Sequence, residues 1–101
     1  MKLTILDVRP EVINFAVAME KKLRKKDGYL GRSGWRDNVT DSVYLTERIR
    51  EETKELDCAL EIYDKKHAKK VQKEAVYVAN FAMMIYDIIS MEIENGEYVD
   101  D

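Results

Sequence analysis

Two long stretches of this 101-residue chain carry apolar side chains at helical spacing, and a glutamate interrupts each of them. In the first, Leu45, Ile49, Leu56, Leu60 and Tyr63 recur as one face of a helix, and position 52 on that series is Glu. In the second, Val71, Val78, Ala82, Ile85 and Ile89 recur in the same way, and position 74 is Glu. A period near 3.6 residues, and not 2, points to helices instead of strands. A third stripe, Val12, Phe15, Ala16, Met19 and Leu23, follows Pro10, which suits a first helical turn because its missing N–H would be unpaired there anyway. The basic run from Lys21 to Lys26 complements the negative end of that helix, and Gly28 is its expected stop.

The expected architecture is therefore an all-α helical bundle in a single domain, 1–101. Residues 1–9 form an N-terminal arm, of which 2–8 are extended or lead into the first helix. Residues 28–40 form a loop, and Asp41 can cap the second helix. A break falls around Asp64 to His67, the third helix runs as far as Gly96, and 97–101 form a frayed acidic tail. Three or four helices give so short a chain a thin core. Val76, Ala79, Phe81, Met83, Met84 and Ile88 lie off the main stripe of the third helix, which suggests burial on more than one side and completion of the bundle by oligomerisation.

Composition narrows the function. With 46% hydrophobic and 37% charged residues, the chain is too apolar for intrinsic disorder. The net charge of -3 divides into +4 over residues 1–50 (11 basic, 7 acidic) and -7 over 51–101 (6 basic, 13 acidic). That is not the basic domain of a nucleic-acid binder. The one cysteine, Cys58, permits no internal disulfide, implies a reducing compartment and reads as a buried thiol beside Ala59 and Leu60. No run approaches the ~18 apolar residues of a membrane helix and no signal-peptide pattern is present, so no membrane association and a cytoplasmic location are expected.

The interrupting glutamates carry the chemistry. Glu55 follows Glu52 by three residues and points to nearly the same side of the second helix. Antiparallel packing of the two stripes would bring Glu52, Glu55 and Glu74 together, a costly gathering of like charge unless a cation compensates. An all-oxygen set of this kind suits Mg²⁺. Alternatively, each Glu packs its stem at a stripe boundary with its head in water, and Lys54, Lys70 or Lys73 pairs with it.

The same residues carry a family resemblance. Glu51-Glu52-Thr53-Lys54-Glu55 resembles the EExxE motif of the MazG-like all-α nucleotide pyrophosphohydrolases, and Glu74-Ala75-Val76-Tyr77 resembles their ExxD segment. Gly34-Trp35-Arg36-Asp37 is similar to a GW(K/R)D stretch of small phage and prokaryotic members. The likeness covers roughly residues 11–89. It implies a MazG-like helical bundle assembled as a homodimer or homotetramer. It also implies Mg²⁺-dependent hydrolysis of a nucleoside triphosphate (NTP or dNTP) to the monophosphate and pyrophosphate. By position, the metal ligands would be Glu52, Glu55 and Glu74, with Glu51 or Glu55 orienting or deprotonating the attacking water. The family's fourth ligand, an Asp, is here Tyr77, whose phenol is neutral at pH 7, so reduced activity is expected. Asn80, one turn on, offers an amide oxygen in its place.

Trp35 and Arg36, in the loop, suit a base and a phosphate respectively. The alternative for Trp35 is a plug in the core. Tyr77 and Asn80 complete the substrate-binding candidates. The loop lacks P-loop spacing. Lys65 to Lys70 reads as a solvated helix start, and the lone His67 has no catalytic role. The rival functions are a catalytically degenerate nucleotide-binding or protein-interaction bundle and a plain helical assembly protein.

Overall fold

The computed structural model describes residues 2–27, 35 and 42–96, without the side chains of Asp27, Ser42 and Val43. It holds three long helices, α1 (Pro10–Asp27), α2 (Ser42–Glu61) and α3 (Ala68–Glu94), and a 3-10 turn at Ile5–Asp7, with no strand among the described residues. The all-α reading is thus borne out. The loop 28–40 apart from Trp35, the capping role of Asp41 and the tail 97–101 lie outside the described residues. The chain divides into two compact units, Met1–Ser33 and Gly34–Asp101.

In the first unit the 3-10 turn is fastened by Asp7, whose Oδ2 accepts from Thr4 N (2.9 Å) and Thr4 Oγ1 (3.1 Å). These bonds hold the Asp7 carboxyl below its ordinary pKa. Helix α1 starts at Pro10, and Arg9 O accepts from Val12 N and Ile13 N. Its expected buried face is not buried. Val12 (52%), Phe15 (41%) and Ala16 are exposed, and Met19 and Leu23 are half-buried. The unit has no second long helix among its described residues, so the stripe finds no partner element within it.

In the second unit α2 and α3 form an antiparallel hairpin. Arg48 lies over the Phe81 ring and Glu52 meets Glu74, so residue numbers rise along one helix as they fall along the other. The connection is built by Asp64, whose Oδ1 accepts from Lys66 N (2.8 Å) and His67 N (3.0 Å) and lies 2.7 Å from His67 Nδ1. The His67 hydrogen bond is the main reason the Asp64 carboxyl sits below its ordinary pKa. At the far end of α3, Gly96 takes φ +73°, the left-handed conformation that ends a helix without the penalty of a Cβ.

The seam differs from the stripes in both helices. On α2 the seam series is Leu45, Glu52 and Ala59, seven residues apart, of which Leu45 and Ala59 are buried and Glu52 is half-buried. Ile49, Leu56 and Leu60 turn away and line an open groove of about 770 Å³, and Leu60 and Tyr63 are exposed. Cys58, expected buried, is exposed, because only its neighbour Ala59 faces the seam. On α3 the buried residues are Glu74, Val76, Asn80 and Ile88, whereas Ala82 and Ile89 of the expected stripe are exposed. The buried face is rotated around the helix because polar Asn80 and Asp87 belong to it, and a count of apolar residues passes over them.

Helix α3 is more apolar than a count of uninterrupted runs suggests. An 18-residue stretch of it has mean hydropathy 1.4 and at most two acidic or basic side chains, so by length and composition it is long and apolar enough to cross a membrane. Counting uninterrupted apolar runs misses this, since Asn80, Tyr86 and Asp87 divide the stretch. A core helix of a multi-helix bundle has the same composition.

Candidate carboxylate site

The site grows from one turn of α2 facing one turn of α3. Glu52 occupies the central seam position of α2, and its side chain is 13% exposed. Opposite it, Glu74 is 8% exposed, although it lies only one and a half turns into α3. Burial pushes the Glu74 carboxyl above its ordinary value of 4.5. A carboxyl–carboxylate hydrogen bond with Glu52 pushes it further, followed by the charges of Glu52 and Glu55, while Lys73 pulls the other way. When Glu74 is ionised its buried Oε2 has no hydrogen-bond donor. This is a site short of positive charge on its α3 side.

On the α2 side the charge is met by Arg48. Its Nη1 donates to Glu51 Oε2 at 2.6 Å and its Nη2 to Glu52 Oε1 at 3.0 Å. The guanidinium carbon lies 5.4 Å from the centre of the Phe81 ring, a cation–π contact from the facing helix. The partner of Glu51 and Glu52 is thus Arg48 and not one of the lysines Lys54, Lys70 or Lys73. The i, i+3 and i+4 spacing to Glu51 and Glu52 was the available signal.

The expected site residues are partly assembled. Glu52 and Glu74 are together, and Glu55 is near enough to act through its charge but is exposed. Among the described residues no three His, Cys, Asp or Glu side chains are arranged to share one metal ion. The structure therefore brings together a carboxylate pair and not a three-glutamate cage. Glu51 is tied to Arg48 on the exposed side. Tyr77 is half-buried, with Lys73 Nζ 5.7 Å from its ring centre. Asn80 is buried at 4% exposure. Arg36 lies outside the described residues.

Trp35 is held elsewhere on α3. Its Nε1–H donates to Asp87 Oδ2 at 2.9 Å in a half-buried contact. Thirteen residues separate Glu74 from Asp87, about 20 Å along the helix axis, so Trp35 is anchored well away from the carboxylate pair. Sequence reasoning missed Asp87, which sits among apolar residues with nothing in its spacing to pair it with position 35. Asp87→Leu should strand the indole N–H at a cost of about 1 kcal/mol, while Asp87→Asn keeps an acceptor. Since Trp35 is the one tryptophan of the chain, its fluorescence reads this directly. The emission should move to longer wavelength in Asp87→Leu and stay in place in Asp87→Asn.

No protein-family model matches the chain, and no curated protein or solved structure matches it.

Proposed function

We propose that the protein is a Mg²⁺-dependent nucleoside triphosphate pyrophosphohydrolase of the MazG-like kind, with activity reduced by Tyr77. The observation that carries this reading is the pairing of half-buried Glu52 with buried Glu74 on facing helices, with a Glu74 oxygen lacking any donor. Holding two carboxylates against each other is costly, and a bound divalent cation would offset that cost. Two carboxylates suffice for Mg²⁺, which keeps several waters and takes further oxygens from substrate phosphates. The three motif segments and their order supply the family part of the reading.

In this scheme Glu52 and Glu74 would hold the ion, which when bound supplies neutralising charge to the triphosphate and water activation. Glu55 is the better placed base. It forms no hydrogen bond or ion pair among the described residues, whereas Glu51 is engaged by Arg48. Glu55 would take the proton of the attacking water as the water oxygen bonds to phosphorus. The phosphorus–oxygen bond to the leaving group breaks, and pyrophosphate departs with the electron pair. Tyr77 and Asn80 would line the approach from α3, whereas Trp35, held at Asp87, is too far along that helix to reach a base bound at the pair. The exposed apolar residues of α3, Tyr86 (76%), Ile89 (41%) and Ile93 (54%), favour assembly of two or four copies.

The test is release of pyrophosphate from a panel of NTPs and dNTPs with Mg²⁺, comparing the natural chain with Glu52→Gln. Slow turnover that Glu52→Gln abolishes is the expected result. Turnover indifferent to Glu52 would remove the assigned site. Absence of turnover with retained nucleotide binding would favour the degenerate binding bundle.

A further inference from the structure

We propose that Arg48 is the resident counter-ion of the carboxylate pair, and that a divalent cation must displace its guanidinium from Glu52 in order to bind. The inference rests on the metal-site reading above but concerns a residue to which that reading gives no role. Arg48 engages Glu52 Oε1 at 3.0 Å and Glu51 Oε2 at 2.6 Å through separate nitrogens. Its side chain is only 34% exposed, and the Phe81 ring backs the guanidinium from α3. The arginine is thus held from both helices, on Glu52.

The arrangement has a direct electrostatic consequence. A charge-assisted hydrogen bond to a largely buried carboxylate is stronger than a surface ion pair, and the planar fork of arginine loses little freedom in making it. An ion shared by Glu52 and Glu74 would meet two obstacles. One oxygen of Glu52 is already taken, and a fixed positive charge stands within a side-chain length. Glu74 Oε2 is buried and has no such partner. A monovalent ion offers too little charge to compete, and a divalent ion can. The sequence alone would place Arg48 as an ordinary helix-face ion pair. The Phe81 contact and the exposure of Glu52 make it a built-in competitor.

Calorimetric titration of Mg²⁺ into the natural protein, Arg48→Gln, Arg48→Lys and Glu74→Gln tests this without reference to turnover. Arg48→Gln should bind Mg²⁺ about tenfold more tightly than the natural chain, and Arg48→Lys should fall between them, since lysine keeps the charge but loses the fork. In the natural protein the Arg48 Nε–H resonance should shift with added Mg²⁺ at the calorimetric midpoint, and should stay fixed in Glu74→Gln. If Mg²⁺ binds the natural chain through Glu74 while folded Arg48→Gln binds it equally or more weakly, the counter-ion role is wrong and the metal site survives. If none of the proteins binds Mg²⁺, both readings fall. Should Arg48→Gln not fold, Arg48→Lys and the resonance decide: no tightening and no shift overturn the proposal.

Discussion

Glu74→Gln should make the metal-free protein more stable at neutral pH by about 1–2 kcal/mol, the scale of an unmatched buried polar group. The sign follows from the raised pKa of the Glu74 carboxyl. The folded chain holds this proton more tightly than the unfolded chain, so the folded state binds more protons over the window between the two values. Stability therefore falls as pH rises from about 4.5, the unfolded value, through the raised folded value, and the full penalty is present above it. Glutamine has no proton to lose, and its amide N–H can donate to Glu52 where an ionised Glu74 can only repel. Urea unfolding in the presence of a chelator should find the two proteins alike near pH ~4 and separated at pH ~7. Asp7 and Asp64 carry lowered pKa values and act in the opposite sense, their stabilisation being lost as pH falls. Both are common to the two proteins and cancel in the difference. Equal stability at pH 7 would mean that Glu74 is solvated and not buried against Glu52.

Tyr77→Asp should raise pyrophosphate release by about tenfold, equivalent to roughly 1.4 kcal/mol of transition-state stabilisation. Position 77 lies one turn beyond Glu74 on α3, so an Asp there adds a carboxylate beside the pair. A third anionic oxygen ligand strengthens divalent-ion binding and improves the geometry that Mg²⁺ demands. The change also removes the contact of Lys73 with the Tyr77 ring and offers Lys73 an acid four residues on, which limits the gain. The gain should appear together with tighter Mg²⁺ binding and with lower stability in chelator, because another negative charge joins an under-compensated cluster. A stability loss with no gain in Mg²⁺ affinity or turnover would show that the position does not face the ion.

Helices α2 and α3 were legible because their periodicity was long and unbroken by Gly or Pro, and their break was placed where Asp64 turns the chain. The approach of Glu52 to Glu74 was legible for a more specific reason. A charged residue on an apolar series marks a position where packing and chemistry conflict, and the conflict shows in one-dimensional spacing. What spacing cannot show is how far round each helix the seam runs. Polar Asn80 and Asp87 belong to the buried face of α3 and exposed Ala82 and Ile89 do not, so an apolar count misplaced that face. Burial of Cys58 was inferred from neighbours of which only Ala59 meets α3. The pairing of Asp87 with Trp35 and of Arg48 with Phe81 joins residues distant in sequence, which spacing does not show, whereas the ion pairs of Arg48 with Glu51 and Glu52 are legible from it.

Whether Glu52 and Glu74 together hold a divalent cation is read from Mn²⁺ binding to the natural chain and to Glu74→Gln. Mn²⁺ shares the oxygen preference of Mg²⁺ and is read through water relaxation without any substrate. The natural chain should bind it, and Glu74→Gln should bind at least about tenfold more weakly while remaining folded. Equal Mn²⁺ affinity in the two proteins would show that Glu74 is no ligand and that the pair is not a cation site.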